Sequence, residues 1–194
     1  MGYNVSTINN LPMISGYYFF LIGKESYARG MSDTALYKRF DEIAERICST
    51  SAIVKSFKSD NISNELLESF HYAPWFREVY DKFLYREPAL VIMHPHPKEF
   101  NFDEKHFFAL IPFETLDNVY FSENELIRDI VALATDGSLD LIKKISESNK
   151  KKGTLQRIGD ALILQPNFYG LGIDLKELHD SDKRKNTFVF HENK

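Results

Sequence analysis

Gly16-Tyr17-Tyr18-Phe19-Phe20-Leu21-Ile22-Gly23 is a run of four aromatic and two aliphatic residues closed at both ends by glycine. Its length and composition predict a strand rather than a helix. Successive side chains of a strand point to opposite faces, so four consecutive aromatics must be shared between both faces of the sheet that contains them. Each face then needs a cover, and the reading that follows is a sheet sandwiched between helices, with this strand opening the fold. Trp75-Phe76, Phe107-Phe108 and Phe168-Tyr169 repeat the situation in a chain that holds 16 Phe, 10 Tyr and one Trp among its 194 residues.

Outward from that strand, Pro88 introduces the unbroken apolar run Ala89-Leu-Val-Ile-Met93, which reads as a central strand stopped by His94-Pro-His-Pro97 because proline removes ladder donors. Further strands are expected over 106–113, over 119–121 after a turn at Asp117-Asn118, and over 160–165, 169–175 and 187–190. Leu36, Phe40, Ile43, Ala44 and Ile47 recur at helical spacing with charges between them, behind a cap at Ser32 or Asp33. A second helical region carries Leu66, Leu67 and Phe70 and is interrupted at Pro74. Ser122 and Glu125 have the spacing of a capping box ahead of Leu126, Ile127 and Ile130, and Asp136-Gly137 ends that helix. Ser138 caps the next, which closes in Lys150-Lys-Lys-Gly153, so residues 123–150 make a helical hairpin. The expected class is α+β: one compact domain with a mixed sheet of five or six strands covered by helices and the hairpin on its flank.

The 24 Lys+Arg and 28 Asp+Glu divide as 10 against 11 in residues 1–97 and 14 against 17 in 98–194. Neither half carries the basic footprint of a nucleic-acid binder. The single Cys48 has no intramolecular disulfide partner, no charged leader with an apolar core precedes a cleavage site, and no run approaches the ~20 apolar residues of a membrane span, so a cytoplasmic protein without a membrane partner is expected.

Three clusters bear on chemistry. His94 and His96, at the end of the expected central strand, stand at i, i+2, where two imidazoles of a strand share one side; with His106, or with Asp103 or Glu104, they supply donors for a zinc ion. His94-Pro-His-Pro97 resembles the His-x-His-Pro half of the JAMM metalloprotease motif. The downstream Ser-x-x-Asp of that family is missing from Lys98–Lys105, so the resemblance spans four residues and transfers no activity. Asp160, followed by Asp174-Leu-Lys176, resembles the PD-(D/E)xK nuclease core, which implies two acids on Mg²⁺ and a lysine orienting the attacking water; Gly159 stands where that family has proline. Lys143, Lys144 and Lys150–Lys152 could add a phosphate-attracting face to such a site. Cys48, at the end of the clearest helix, meets the wrong end of the helix dipole for a thiolate nucleophile served by a base such as His71. With no complete catalytic set, the leading expectation is a non-catalytic module without cofactor that binds a protein partner or small ligand through aromatic surface, Trp75, Phe76 and Tyr169 being the candidates. The alternative is a metal-dependent hydrolase using Zn²⁺ at the histidines or Mg²⁺ at Asp160 and Asp174, with Lys176.

Overall fold

The computed structural model describes residues 1–22, 35–47, 49–56, 61–69, 88–100, 106–151 and 162–164. Their elements are β1 (Gly2–Val5), a 3₁₀ turn (Ile8–Asn10), β2 (Tyr18–Ile22), α1 (Ala35–Lys38), α2 (Phe40–Arg46), β3 (Ala52–Ser56), α3 (Asn61–Ser69), β4 (Ala89–His94), a second 3₁₀ turn (Pro97–Glu99), β5 (Phe107–Pro112), α4 (Phe113–Val119), α5 (Glu123–Asp136), α6 (Asp140–Lys151) and β6 (Leu162–Leu164). The strands form one mixed sheet in the order β1-β3-β2-β4-β5-β6. β3 pairs in parallel with both β1 and β2, whereas β4, β5 and β6 continue the sheet from β2 as an antiparallel meander.

The aromatic run behaves as its alternation requires. Phe19 and Leu21 enter one core with Ile53, Leu90, Ile92, Ala109 and Ile111, under the apolar stripes of α1, α2, α4, α5 and α6. Tyr18, Phe20 and Ile22 enter the other with Val54, Val91, Met93, Phe108 and Leu110, covered by Ile8, Leu11, Ile62 and Leu66. Residues 18–22 are all buried, so the sheet is a middle layer and its aromatics are core. Among the described residues no helix is long and apolar enough to cross a membrane.

Four local expectations are corrected. The fold opens with β1, not with the aromatic strand, and β1 lies close under α2 because residue 2 is glycine: a Cβ there would stand 2.5 Å from Ala44 Cβ. Ala52–Ser56, a strand not expected above although Ile53-Val54 is β-branched, lies between β1 and β2. The helix expected from Leu36 to Ile47 breaks at Arg39 (φ −104°, ψ 22°) into α1 and α2, although Leu36, Phe40, Ile43 and Ile47 keep one buried face. Residues 119–121 are not a strand: Asp117 and Asn118 lie inside α4, which starts after Pro112 at the N-cap, where a proline's fixed φ and missing N–H cost nothing. The helical hairpin is present as α5 and α6, joined through Gly137 in the left-handed region (φ 68°). The expected strands over 169–175 and 187–190, the cap at Ser32 or Asp33, and Phe70 and Pro74 lie outside the described residues.

Candidate functional site

Of the residues singled out by sequence, Cys48, His71, Trp75, Phe76, Asp103, Glu104, Asp160, Tyr169, Asp174 and Lys176 lie outside the described residues. His94, His96 and His106 are described. His94 ends β4 half-buried beside Tyr17, their ring centroids 6.0 Å apart, and its Nδ1 lies 2.9 Å from the Gly16 carbonyl oxygen, to which it must donate. Gly16 is glycine for a reason of space, since a Cβ would stand 2.5 Å from both Ser51 Oγ and the Thr50 carbonyl oxygen. His96 is buried with its ring perpendicular to that of Tyr18, centroids 5.2 Å apart, and its Nδ1 accepts from the Lys98 N–H. Tyr17 packs on the first core and Tyr18 belongs to the second, so the two imidazoles serve opposite sides of the sheet. Their i, i+2 spacing does not put them on one face, because the strand ends at His94. His106 packs on Phe100, 5.3 Å away. Among the described residues no group of three or more His, Cys, Asp or Glu side chains is placed to hold a metal ion.

A different group of residues converges at the corner between α4 and α5. Tyr120 and Ser122 are extended (φ −113°, ψ 112° and φ −126°, ψ 123°), so consecutive side chains there alternate. Tyr120 turns inward, where its hydroxyl donates to Asp129 Oδ2 at 3.0 Å. Phe121 turns outward and is 100% exposed. Asp129 is the one charged side chain on the inner stripe of α5, and three residues donate to its carboxylate. Lys144 Nζ lies 2.6 Å from Oδ2 and 2.7 Å from Glu125 Oε1, and the Arg128 guanidinium holds Oδ1 through Nε and Nη2 at 3.1 and 3.0 Å. The Lys144 ammonium also stands 5.1 Å from the Tyr120 ring centroid.

Burial alone would raise the pKa of Asp129, but hydrogen bonds from Lys144, Arg128 and Tyr120 outweigh it and hold the carboxyl below its ordinary range. The same bonds to Asp129 and Glu125 raise Lys144, while burial and then the Asp129 charge push the Tyr120 phenol well above its ordinary value. Asp129 therefore stays ionised and fully paired, pinning α6 and the Tyr120 backbone to α5. The open cleft beside it, about 440 Å³ between α5 and α6, is lined by Arg128, Ala132, Lys143 and Glu147 among others. Lys143 meets Asp140 at 3.7 Å and Lys144 meets Asp129, so two of the lysines expected to attract phosphate have carboxylate partners, while the side chains of Lys150–Lys152 lie outside the described residues.

The outer side of this corner is acidic. Asp117 has its pKa raised, first by burial and then by the Glu114 and Glu123 carboxylates. Nor does the capping box close: Ser122 makes no side-chain cap bond, its carbonyl accepts from the Glu125 and Leu126 N–H groups, and the Glu125 carboxylate turns to Lys144 instead. Phe121 occupies the N′ position, from which an apolar residue commonly staples onto N4. Leu126 at N4 is buried under the helix and Phe121 is fully exposed, so no staple forms. Sequence reasoning missed Tyr120, Phe121 and Asp129. The available signals were the aspartate interrupting an apolar stripe and the aromatic at N′. Compared with protein-family models, curated proteins and solved structures, the chain matches none of them.

Proposed function

We propose that this chain is a non-catalytic cytoplasmic binding module that engages a protein partner through exposed aromatic surface, with Phe121 as the anchor. The observation that supports this reading is the complete exposure of a phenylalanine on a backbone that is fixed on both sides. Tyr120 is tied down by Asp129, and Ser122 begins a 14-residue helix. Among the described residues none covers the Phe121 ring, whereas Tyr18, Phe19, Phe20, Phe107 and Phe108 are all spent on the cores. An aromatic held rigidly in water loses little entropy on docking, and fully burying it contributes about 1.5–3 kcal/mol. Glu114 and Glu123, whose charges reach Asp117, belong to the ends of the two helices that flank Phe121 in the chain, and this acidic setting fits a partner that offers an apolar pocket rimmed by lysine or arginine. The cytoplasmic assignment rests on the chain having a single cysteine and hence no internal disulfide.

The test is a photo-crosslinking residue placed at position 121 in cells, with the captured protein identified by mass spectrometry and then purified. Phe121→Ala is expected to weaken its binding roughly thirtyfold, the worth of about 2 kcal/mol, with Phe121→Trp retaining most of it. A partner whose affinity is indifferent to Phe121→Ala, or the absence of any adduct that depends on position 121, sinks the reading.

A further inference from the structure

His96 is the described side chain whose chemistry the fold leaves least settled. It is 2% exposed, with an aromatic edge contact to Tyr18 on β2, and it caps the Pro97–Glu99 turn by accepting the Lys98 N–H at Nδ1, 3.2 Å away. An imidazole that accepts at Nδ1 is neutral, with its proton on Nε2. That Nε2 faces the Leu11 backbone and has no well-formed hydrogen bond among the described residues. A second proton has one place to go, Nδ1, where it turns the acceptor into a donor aimed at another donor.

We propose that His96 is a proton-operated latch: neutral, it clamps the Pro97–Glu99 turn onto the second face of the sheet, and protonated at Nδ1 it loses the Lys98 bond and releases that turn from Tyr18 and Leu11. The charged and titratable groups around it do not rescue the cation. Lys98 on the same turn opposes it, and Glu99 and the Leu11 backbone favour it but are outweighed by burial; from β2, the Tyr18 ring stands at right angles to the imidazole, 5.2 Å away. On α3, which packs against the turn, the Glu65 carboxylate is occupied by the Thr7 hydroxyl and the Ile8 N–H at 2.9 and 2.7 Å. Burial acts first, and Lys98 next, to hold the His96 pKa below the ordinary imidazole value. The Glu99 N–H to His96 carbonyl bond (2.8 Å) and the Phe100 N–H to Pro97 carbonyl bond (3.4 Å) belong to the turn itself and report on its opening.

Hydrogen exchange of the 95–100 segment, corrected for intrinsic rates, measures the latch in the full chain. If the open state titrates near the ordinary value of about 6.5 and the closed state does not, the opening constant rises by up to about thirtyfold from roughly pH 7.5 to pH 5. His96→Asn can accept the Lys98 N–H without titrating and is expected to rise less than about threefold over the same range. No rise in the wild type, or the same rise in His96→Asn, overturns the proposal. Should that variant not fold, the ¹⁵N shifts of the wild-type ring decide. A ring unprotonated at Nδ1 near neutral pH whose titration moves the Lys98 amide supports the latch; protonation that leaves the Lys98 amide in place refutes it.

Discussion

Asp129 and His96 are two ionisable side chains buried to about the same degree, 4% and 2% exposed, on opposite sides of one sheet. They solve burial in opposite ways. Asp129 gathers three donors and keeps its charge; His96 keeps one hydrogen bond and gives its charge up. The number of partners within reach, rather than the depth, decides which form the fold selects. A charge held by three partners is a brace, because the loss of one partner leaves two in place while the loss of the charge itself strands all three. A neutral imidazole held by one is reversible, because a single proton undoes it.

The severest way to break the comparison is Asp129→Ala. Deleting one side of a buried ion pair typically costs about 3–5 kcal/mol. Arg128 and Lys144 are both partly open to water, 64% and 33% exposed, so the lower end applies, about 3 kcal/mol or a fall in Tm of roughly 6–12 °C. Lys144→Met should cost less, about 1 kcal/mol, because Tyr120 and Arg128 still satisfy the carboxylate. Urea unfolding of both variants checks the order; a loss below about 1 kcal/mol for Asp129→Ala would mean that the network only decorates the surface of the hairpin.

The pH dependence of stability sharpens the contrast. Both groups have folded pKa values below their unfolded ones, so both stabilise above the unfolded value and lose that contribution as pH falls toward the folded one. The windows differ. For His96 the loss begins below about pH 6.5 and cannot exceed about 1.4 kcal/mol per pH unit; for Asp129 it begins only near pH 4. Urea midpoints across this range should show His96→Asn flattening the upper window and Asp129→Ala flattening the lower. Exchange of those two effects, or one variant abolishing both, contradicts the assignment.

How much of this was legible in the sequence differs between the two layers as well. β2, β4 and β5 could be read because each is an uninterrupted apolar run, and α5–α6 because their periodicity ends in a glycine at Gly137. Ala52–Ser56 offers only the short Ala-Ile-Val run before Lys55, and its place as a parallel strand comes from β1 and β2, both distant in sequence. The corner at Tyr120 was read as a strand because Val119-Tyr-Phe121 has strand composition; what overrides it is the start of α4 at Pro112, two turns upstream. Asp129 escaped notice because its meaning lies in Lys144, on another helix, and His96 because residues i and i+2 share a face only while the strand continues.

The mildest effect belongs to the side chain next to the brace. Phe121→Ala removes a large apolar group that is fully exposed, so stability should change by less than about 0.5 kcal/mol, with the urea slope unaltered. Tyr120→Phe, one residue away and on the inner side, should cost about 1–2 kcal/mol, because it leaves Asp129 short of a donor in a buried setting. The pair isolates what the extended backbone does at this corner: adjacent aromatics of similar size, one needed by the fold and one not. If Phe121→Ala proved as costly as Tyr120→Phe, the ring would have an intramolecular role, and its exposure would no longer point to a partner.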